Sequence, residues 1–102
     1  VTLYPNVVIA WHRHKRQDDY VYVGQGAIKV GVIAPGERVQ VQWHYLALAG
    51  SAPHQVLHIP RNHWHGYKAL AGKQAIILGY ITQKYDATDE ERRSIDDMGI
   101  AW

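Results

Sequence analysis

The sequence predicts an all-β barrel with one short C-terminal helix, formed as a single domain over residues 1–102. Three observations predict it. Short β-branched and aromatic runs recur along the chain, separated by Gly, Pro and polar turns. Residues 38–45 alternate strictly between apolar and polar side chains. Only one stretch, residues 89–94, carries a helix-start signal. Seven or eight short strands in about 100 residues close into a sandwich or a barrel, and polar, histidine-bearing strand faces favour a barrel with a ligand cavity.

Strands are expected at residues 7–14 and 19–23, the second ending at Gly24-Gln25-Gly26. The next, 27–33, runs into Ala34-Pro35-Gly36-Glu37, a turn sequence by its Pro and Gly. In the strand at 38–48, Val39, Val41, Trp43 and Tyr45 form an apolar face, read as facing the core, opposite Arg38, Gln40, Gln42 and His44. After Ala49-Gly50-Ser51 come strands at 55–59, 64–70 and 74–82, divided by Pro60-Arg61-Asn62 and Ala71-Gly72-Lys73. The helix at 89–94 has Thr88 as its N-cap and Glu91 as the partner in a capping box.

Composition narrows the function. The chain has no cysteine, which excludes disulfides and thiolate metal sites. No apolar run approaches the ~18 residues a membrane-crossing helix needs. No signal-peptide pattern opens the sequence, so the cytoplasm is the expected compartment. Residues 1–85 hold nine Lys and Arg against three acids, whereas residues 86–97 hold six acids against Arg92 and Arg93. A basic body of this kind suits a small anion such as a nucleotide diphosphate, or is a solvated surface. The scattered cations form no nucleic-acid motif.

The chemistry concentrates in two histidine clusters, Trp11-His12-Arg13-His14 and His63-Trp64-His65-Gly66. Alternate strand residues share a face, so His12 and His14 project together, as do His63 and His65, with Trp11 and Trp64 packed behind them. Asp19 and Gln17 share a parity and can face the same cavity. His12, His14, Asp19 and His65 would offer three imidazoles and a carboxylate, a suitable shell for divalent Fe, Mn, Ni or Zn. Trp102 is read as a plug in an apolar groove. His44, His54 and His58 have no evident partner, although His44 lines the cavity if its polar strand face points inward.

His12-x-His14, then Asp19, then Gly26 resembles the first cupin motif, with Asp in place of the usual Glu. The segments AWHRHKRQDDYVYVGQGAIKVGV (10–32), IPRNHWHGY (59–67), YITQKYDATDE (80–90) and IDDMGIAW (95–102) are similar to the small cupins related to dTDP-4-dehydrorhamnose 3,5-epimerase. The resemblance implies a cupin double-stranded β-helix, or jelly-roll barrel, acting as a homodimer on a nucleotide sugar without a cofactor. It implies a histidine that removes a proton alpha to the ketone of a dTDP-4-keto-6-deoxy sugar or a related carbonyl sugar. By motif, His14 matches the base and Asp97 its carboxylate partner, Gln17, His65 and Tyr67 fall on the substrate-binding side, and Arg13 is adjacent to the family's substrate-binding arginine, with a different spacing to the base. Two positions depart from the pattern. Asp19 stands where the family has a lysine, and Gly79 where it has a tyrosine acid, with Tyr80 one residue off. These departures keep open two alternatives: a metal-dependent cupin enzyme, and a sugar-binding cupin without catalysis.

Overall fold

The computed structural model describes residues 1–36, 38–48 and 55–102, so the turn at Ala49-Gly50-Ser51, Glu37 and His54 lie outside the described residues. Nine strands form two antiparallel sheets: β1 (Thr2–Leu3), β2 (Val8–His14), β3 (Asp19–Gln25), β4 (Ala27–Ile33), β5 (Val41–Ala47), β6 (Leu57–Ile59), β7 (Trp64–Ala69), β8 (Ala75–Ile81) and β9 (Glu90–Arg92). One sheet has the order β1-β8-β3-β6 and the other β5-β4-β7-β2-β9. All seven expected strands form, most of them trimmed by a residue or more at their ends. The two unexpected strands are short, two residues in β1 and three in β9, and β9 is wholly charged. No helix among the described residues is long and apolar enough to cross a membrane.

The expected C-terminal helix does not form. Asp86, not Thr88, is the cap: its carboxylate accepts the Thr88 N–H and holds a 3-10 turn over Ala87–Asp89. The chain then extends as β9, paired with β2 so that His12 faces Arg92 and His14 faces Glu90. Asp89 adds bonds from the Lys15 and Arg16 N–H groups at 3.0 and 3.1 Å. These long-range bonds take the backbone that a local helix needs. The capping box appears later, between Ser94 and Asp97, at a second 3-10 turn over Ile95–Met98.

Alternation places Val21, Val23, Ile59, Ala75 and Ile77 of one sheet against Ile28, Val30, Val32, Leu46 and Ala69 of the other. The β5 face assignment is reversed relative to expectation. Pairing sets His44 opposite Val30 and Leu46 opposite Ile28, so the Gln42-His44-Leu46 side turns inward. Trp43 sits on the outer face and Tyr45 is exposed there.

That outer face is not bare, which explains the reversal. Trp11, Ile33 and Trp64 form a second core with Val41, Met98, Ile100 and Trp102. Trp102 does fill an apolar groove. Gly31 and Gly66 are cross-strand partners on β4 and β7, and together they leave a notch for its indole. A β-carbon at Gly31 would lie 3.1 Å from Trp102 and Trp11 and 2.9 Å from Trp43. At Gly66 it would meet the Ala10 β-carbon and lie 2.9 Å from Trp102. The indole is wedged between Trp11, at 5.0 Å between centroids, and Trp43, edge-on at 4.9 Å.

Trp102→Ala should therefore destabilise the fold by about 3 kcal/mol, near the lower end for buried Trp truncations because the ring is only partly buried. Urea unfolding followed by far-UV circular dichroism measures this, and a loss below about 1 kcal/mol would show that the tail is not part of the core.

Candidate active site

A β-bulge in β2 aims the site. The pairing of β2 with β7 runs Ala10 to Gly66 and then His12 to His65, which leaves Trp11 as the extra residue. Trp11 is fully buried in the outer core, and its backbone exchanges two 3.0 Å bonds with Arg93. Past the bulge, His12 and His14 turn to the inner face beside His65. They open on a cavity of about 460 Å³ between the two sheets. Ile9, Val21, Ile77 and Ile81 make its apolar wall, and His12, His14, Asp19, His65, Tyr67 and Glu90 its polar one.

Two histidine–carboxylate groups share the cavity. In the first, His12 Nδ1 and Glu90 Oε1 are 2.9 Å apart. Burial pushes His12 below the usual 6.5, and the Glu90 bond opposes this without cancelling it. Burial would raise the Glu90 carboxyl, but bonds from Arg92 and His12 hold it below the usual carboxylate value. The neutral His12 ring then donates Nδ1–H to Glu90 and keeps its Nε2 lone pair free.

The second group spans both sheets. Asp19 Oδ2 lies 3.4 Å from His65 Nε2 and 3.8 Å from His14 Nε2. Gln17 Nε2 donates to the other oxygen, Oδ1, at 2.7 Å. Burial works to raise the Asp19 carboxyl, yet the bonds from His65 and Gln17 hold it below its usual value. His65 Nδ1 lies 3.2 Å from the His63 carbonyl, which it can reach as a donor. One donor atom each from His14, Asp19 and His65 can face a common point, as metal ligands do. Tyr67 lies 5.9 Å from His65 between ring centroids, and burial, then the Asp19 charge, push its phenol above 10.

Several expected placements are corrected. Asp97 does not pair with His14, because its carboxylate accepts the Ser94 N–H at 3.2 Å. Arg13 points away from the cavity, bonding Glu91 at 2.7 Å and lying 4.5 Å over the Trp64 ring. Gln17 is buried, donates its amide N–H to Asp19 and does not line the cavity. His12 is outside the donor cluster of His14, Asp19 and His65, and its Nδ1 bonds Glu90. His63 bonds the Arg61 carbonyl at 3.0 Å and does not line the cavity. Gly79 and Tyr80 both line it, and Tyr80 pairs with Tyr20 on β3, their rings 6.1 Å apart between centroids. Glu90 was missed, since residues 89–94 read locally as a helix.

No family model matches the chain. It is 38% identical over 94 residues to the probable low-salt glycan biosynthesis epimerase Agl13 of Haloferax volcanii, covering 90% of this chain and 60% of that protein. It is 30% identical over 107 aligned positions to the spore coat polysaccharide biosynthesis protein SpsL of Bacillus subtilis, covering 97% and 69%. Among solved structures, a dTDP sugar isomerase from Desulfovibrio desulfuricans G20 shares the fold at a TM-score of 0.83 and 22% identity, over 95% of this chain and 63% of that one. The chain thus spans about three fifths of the length of the archaeal relative.

His58, without an evident partner in the sequence, stacks on Tyr20 at 4.6 Å and bonds Asp18 at 2.9 Å. Asp18 also accepts from the Arg61 backbone at 2.9 Å, which ties the start of β3 to the turn that leads into His65. The His58 bond, helped by Arg61, depresses the Asp18 carboxyl to about 2 from its ordinary 3.8. A carboxyl depressed on folding stabilises the fold above its unfolded value and ceases to as pH falls through its folded one. Asp18→Asn should therefore lower the melting temperature at pH 6, and the gap from wild type should close between pH 4 and pH 2. A gap that is independent of pH would show that this charge does not hold the turn.

Proposed function

Because the chain belongs to the cupin family related to dTDP-4-dehydrorhamnose 3,5-epimerase, we propose that its cavity is an isomerase site for a nucleotide-linked keto sugar. The two packed sheets are, on this reading, the family's jelly-roll barrel, with the substrate sugar entering between them. A dTDP-linked 4-keto-6-deoxy sugar is the substrate class we favour, supported by the resemblance of nearly the whole chain to that family.

The observation that carries the proposal is the His12–Glu90 pair on the wall of an otherwise largely apolar cavity. Removing a proton next to a ketone needs a base that is neutral near pH 7 and can accept charge. His12 meets both needs. Burial keeps the ring unprotonated, and Glu90 fixes the tautomer with Nε2 as the acceptor. When Nε2 takes the proton, the Glu90 carboxylate balances the imidazolium, as in other histidine–carboxylate pairs. The role expected of His14 with Asp97 passes to His12 with Glu90.

Tyr67 serves as the proton donor. Its phenol stays un-ionised because ionisation is disfavoured by burial and by Asp19. It stands on β7, which pairs directly with the strand that carries His12, so acid and base line the cavity from the same sheet. Gly79, where a β-carbon would meet the Tyr20 carbonyl at 3.8 Å, stands on the opposite wall at the position where the family has its tyrosine.

Incubating the protein with the keto sugar in D₂O, followed by proton NMR, should show deuterium entering at the carbon alpha to the ketone. His12→Gln should slow that exchange by about 10²–10⁴-fold, as loss of a general base does, while nucleotide-sugar binding persists. Glu90→Gln should slow it less and leave binding unchanged. Normal exchange in His12→Gln would overturn the assignment of the base. Binding without exchange in the wild type would leave a sugar-binding module in place of an enzyme.

A further inference from the structure

We propose that the cavity shifts a carbonyl between neighbouring carbons of its sugar along one face and inverts no stereocentre. The shift rests on the isomerase reading and specifies which isomerisation the cavity performs. Its basis is an asymmetry between the two walls. His12, His14, His65, Tyr67 and Glu90 all come from β2, β7 and β9, which lie side by side in the five-stranded sheet. His12 pairs with His65, and Tyr67 is two residues further along β7 on the same face. Strand spacing and rise put the His12 and Tyr67 backbones on the order of 8 Å apart. Base and acid therefore address a ring between the sheets from the same side.

The wall formed by β3 and β8 is of another kind. Val21, Ile77 and Ile81 are apolar, and Gly79 has no side chain to offer. Asp19 faces the histidine wall with both oxygens engaged. Oδ1 accepts from Gln17 at 2.7 Å, and Oδ2 lies 3.4 Å from His65. Tyr80 lines the cavity too, but it is 66% exposed and lies beside Tyr20, 6.1 Å away between ring centroids. Inverting a carbon means taking a proton from one face of the ring and returning one to the other, with a proton carrier on each side. Among the described residues, the unengaged carriers inside the cavity stand on one side.

A proton returned to the carbon it left changes nothing, so its productive destination is the former carbonyl carbon. The substrate must carry a hydroxyl on the alpha carbon. His12 Nε2 takes the C–H proton there, and the electron pair left behind forms a carbon–carbon double bond. The ketone oxygen meanwhile takes the Tyr67 phenol proton, giving an enediol. The other enediol hydroxyl then returns a proton to the Tyr67 oxygen, and His12 delivers its proton to the former carbonyl carbon. Glu90 balances the imidazolium between the two steps. The alpha carbon is oxidised to a ketone and its neighbour is reduced to a secondary alcohol, so no outside oxidant or reductant enters.

A dTDP-linked 4-keto-6-deoxyhexose labelled with carbon-13 at its carbonyl carbon tests this on the wild-type protein. In D₂O the labelled carbon should change from a ketone to a secondary alcohol by NMR, with a new ketone at the neighbouring hydroxyl-bearing carbon. Deuterium should enter the labelled carbon on the face from which the alpha proton left. Tyr67→Phe should lower kcat for the shift about a hundredfold with KM little changed. A labelled ketone that stays in place while the alpha carbon exchanges or inverts overturns the carbonyl shift and keeps the isomerase. Deuterium on the opposite face of the labelled carbon overturns transfer along one wall. A Tyr67→Phe variant with the wild-type kcat removes Tyr67 as the donor to the ketone oxygen. No exchange at any carbon of the wild-type reaction overturns the isomerase reading itself, and the shift with it.

Discussion

The bulge at Trp11 is the constraint on which the rest of this molecule depends. A regular strand presents one face to each side throughout its length. β2 instead places Ile9 in the cavity, sends Trp11 fully into the outer core, and returns His12 and His14 to the cavity. One extra residue lets a single strand serve two hydrophobic layers and a polar site. The bulge is clamped from outside by the paired Trp11–Arg93 bonds and from inside by the resumed pairing with β7. Without it, either the indole or the imidazoles would be on the wrong side of the sheet.

The cavity that results keeps its two carboxylates apart in role. Glu90 comes from β9 and meets one imidazole, while Asp19 comes from the opposite sheet and meets two. Each carboxylate also has a neutral or cationic helper, Arg92 for Glu90 and Gln17 for Asp19. Two acids in one cavity would repel if both were bare, and ionised acids need such partners away from water. The arrangement therefore leaves both acids charged and the imidazoles between them electrostatically distinct. One ring is paired and ready to accept a proton, and the others are gathered around a single oxygen.

Much of this is written locally and so can be read locally. Turn residues and β-branched runs mark the seven strands β2–β8, and residue parity alone puts His12 and His14 together. His65 joins them because Pro60 and Asn62 start the turn that begins its strand. What was not legible depends on register. Glu90 and Asp97 lie in one acidic run, and nothing local says which of them reaches a histidine. The pairing of β9 on β2 decides it, setting Glu90 opposite His14 and within reach of His12 on the same face. The helix expected over residues 89–94 failed for the same reason. Its local signal was sound, but Asp89 found the Lys15 and Arg16 N–H groups far away in sequence. The faces of β5 were misread because alternation tells two faces apart but does not say which is covered. Here the C-terminal tail covers the outer one.

That tail joins stability to chemistry. The same segment supplies Asp89 to hold the end of β2, Glu90 to orient His12, and Trp102 to fill the notch over Gly31 and Gly66. Gly66 follows His65 directly in β7, so the wedged indole packs on the outer side of the strand whose inner side carries an imidazole. The β2–β9 ladder is only three residues long, too short to hold a carboxylate in place by itself. Its position is reinforced by Asp89 before it, by the Arg13–Glu91 and Trp11–Arg93 bonds along it, and by the Trp102 plug after it. Aromatic packing on the far face of the same sheet thus joins the ladder and ion pairs in holding the segment that carries Glu90.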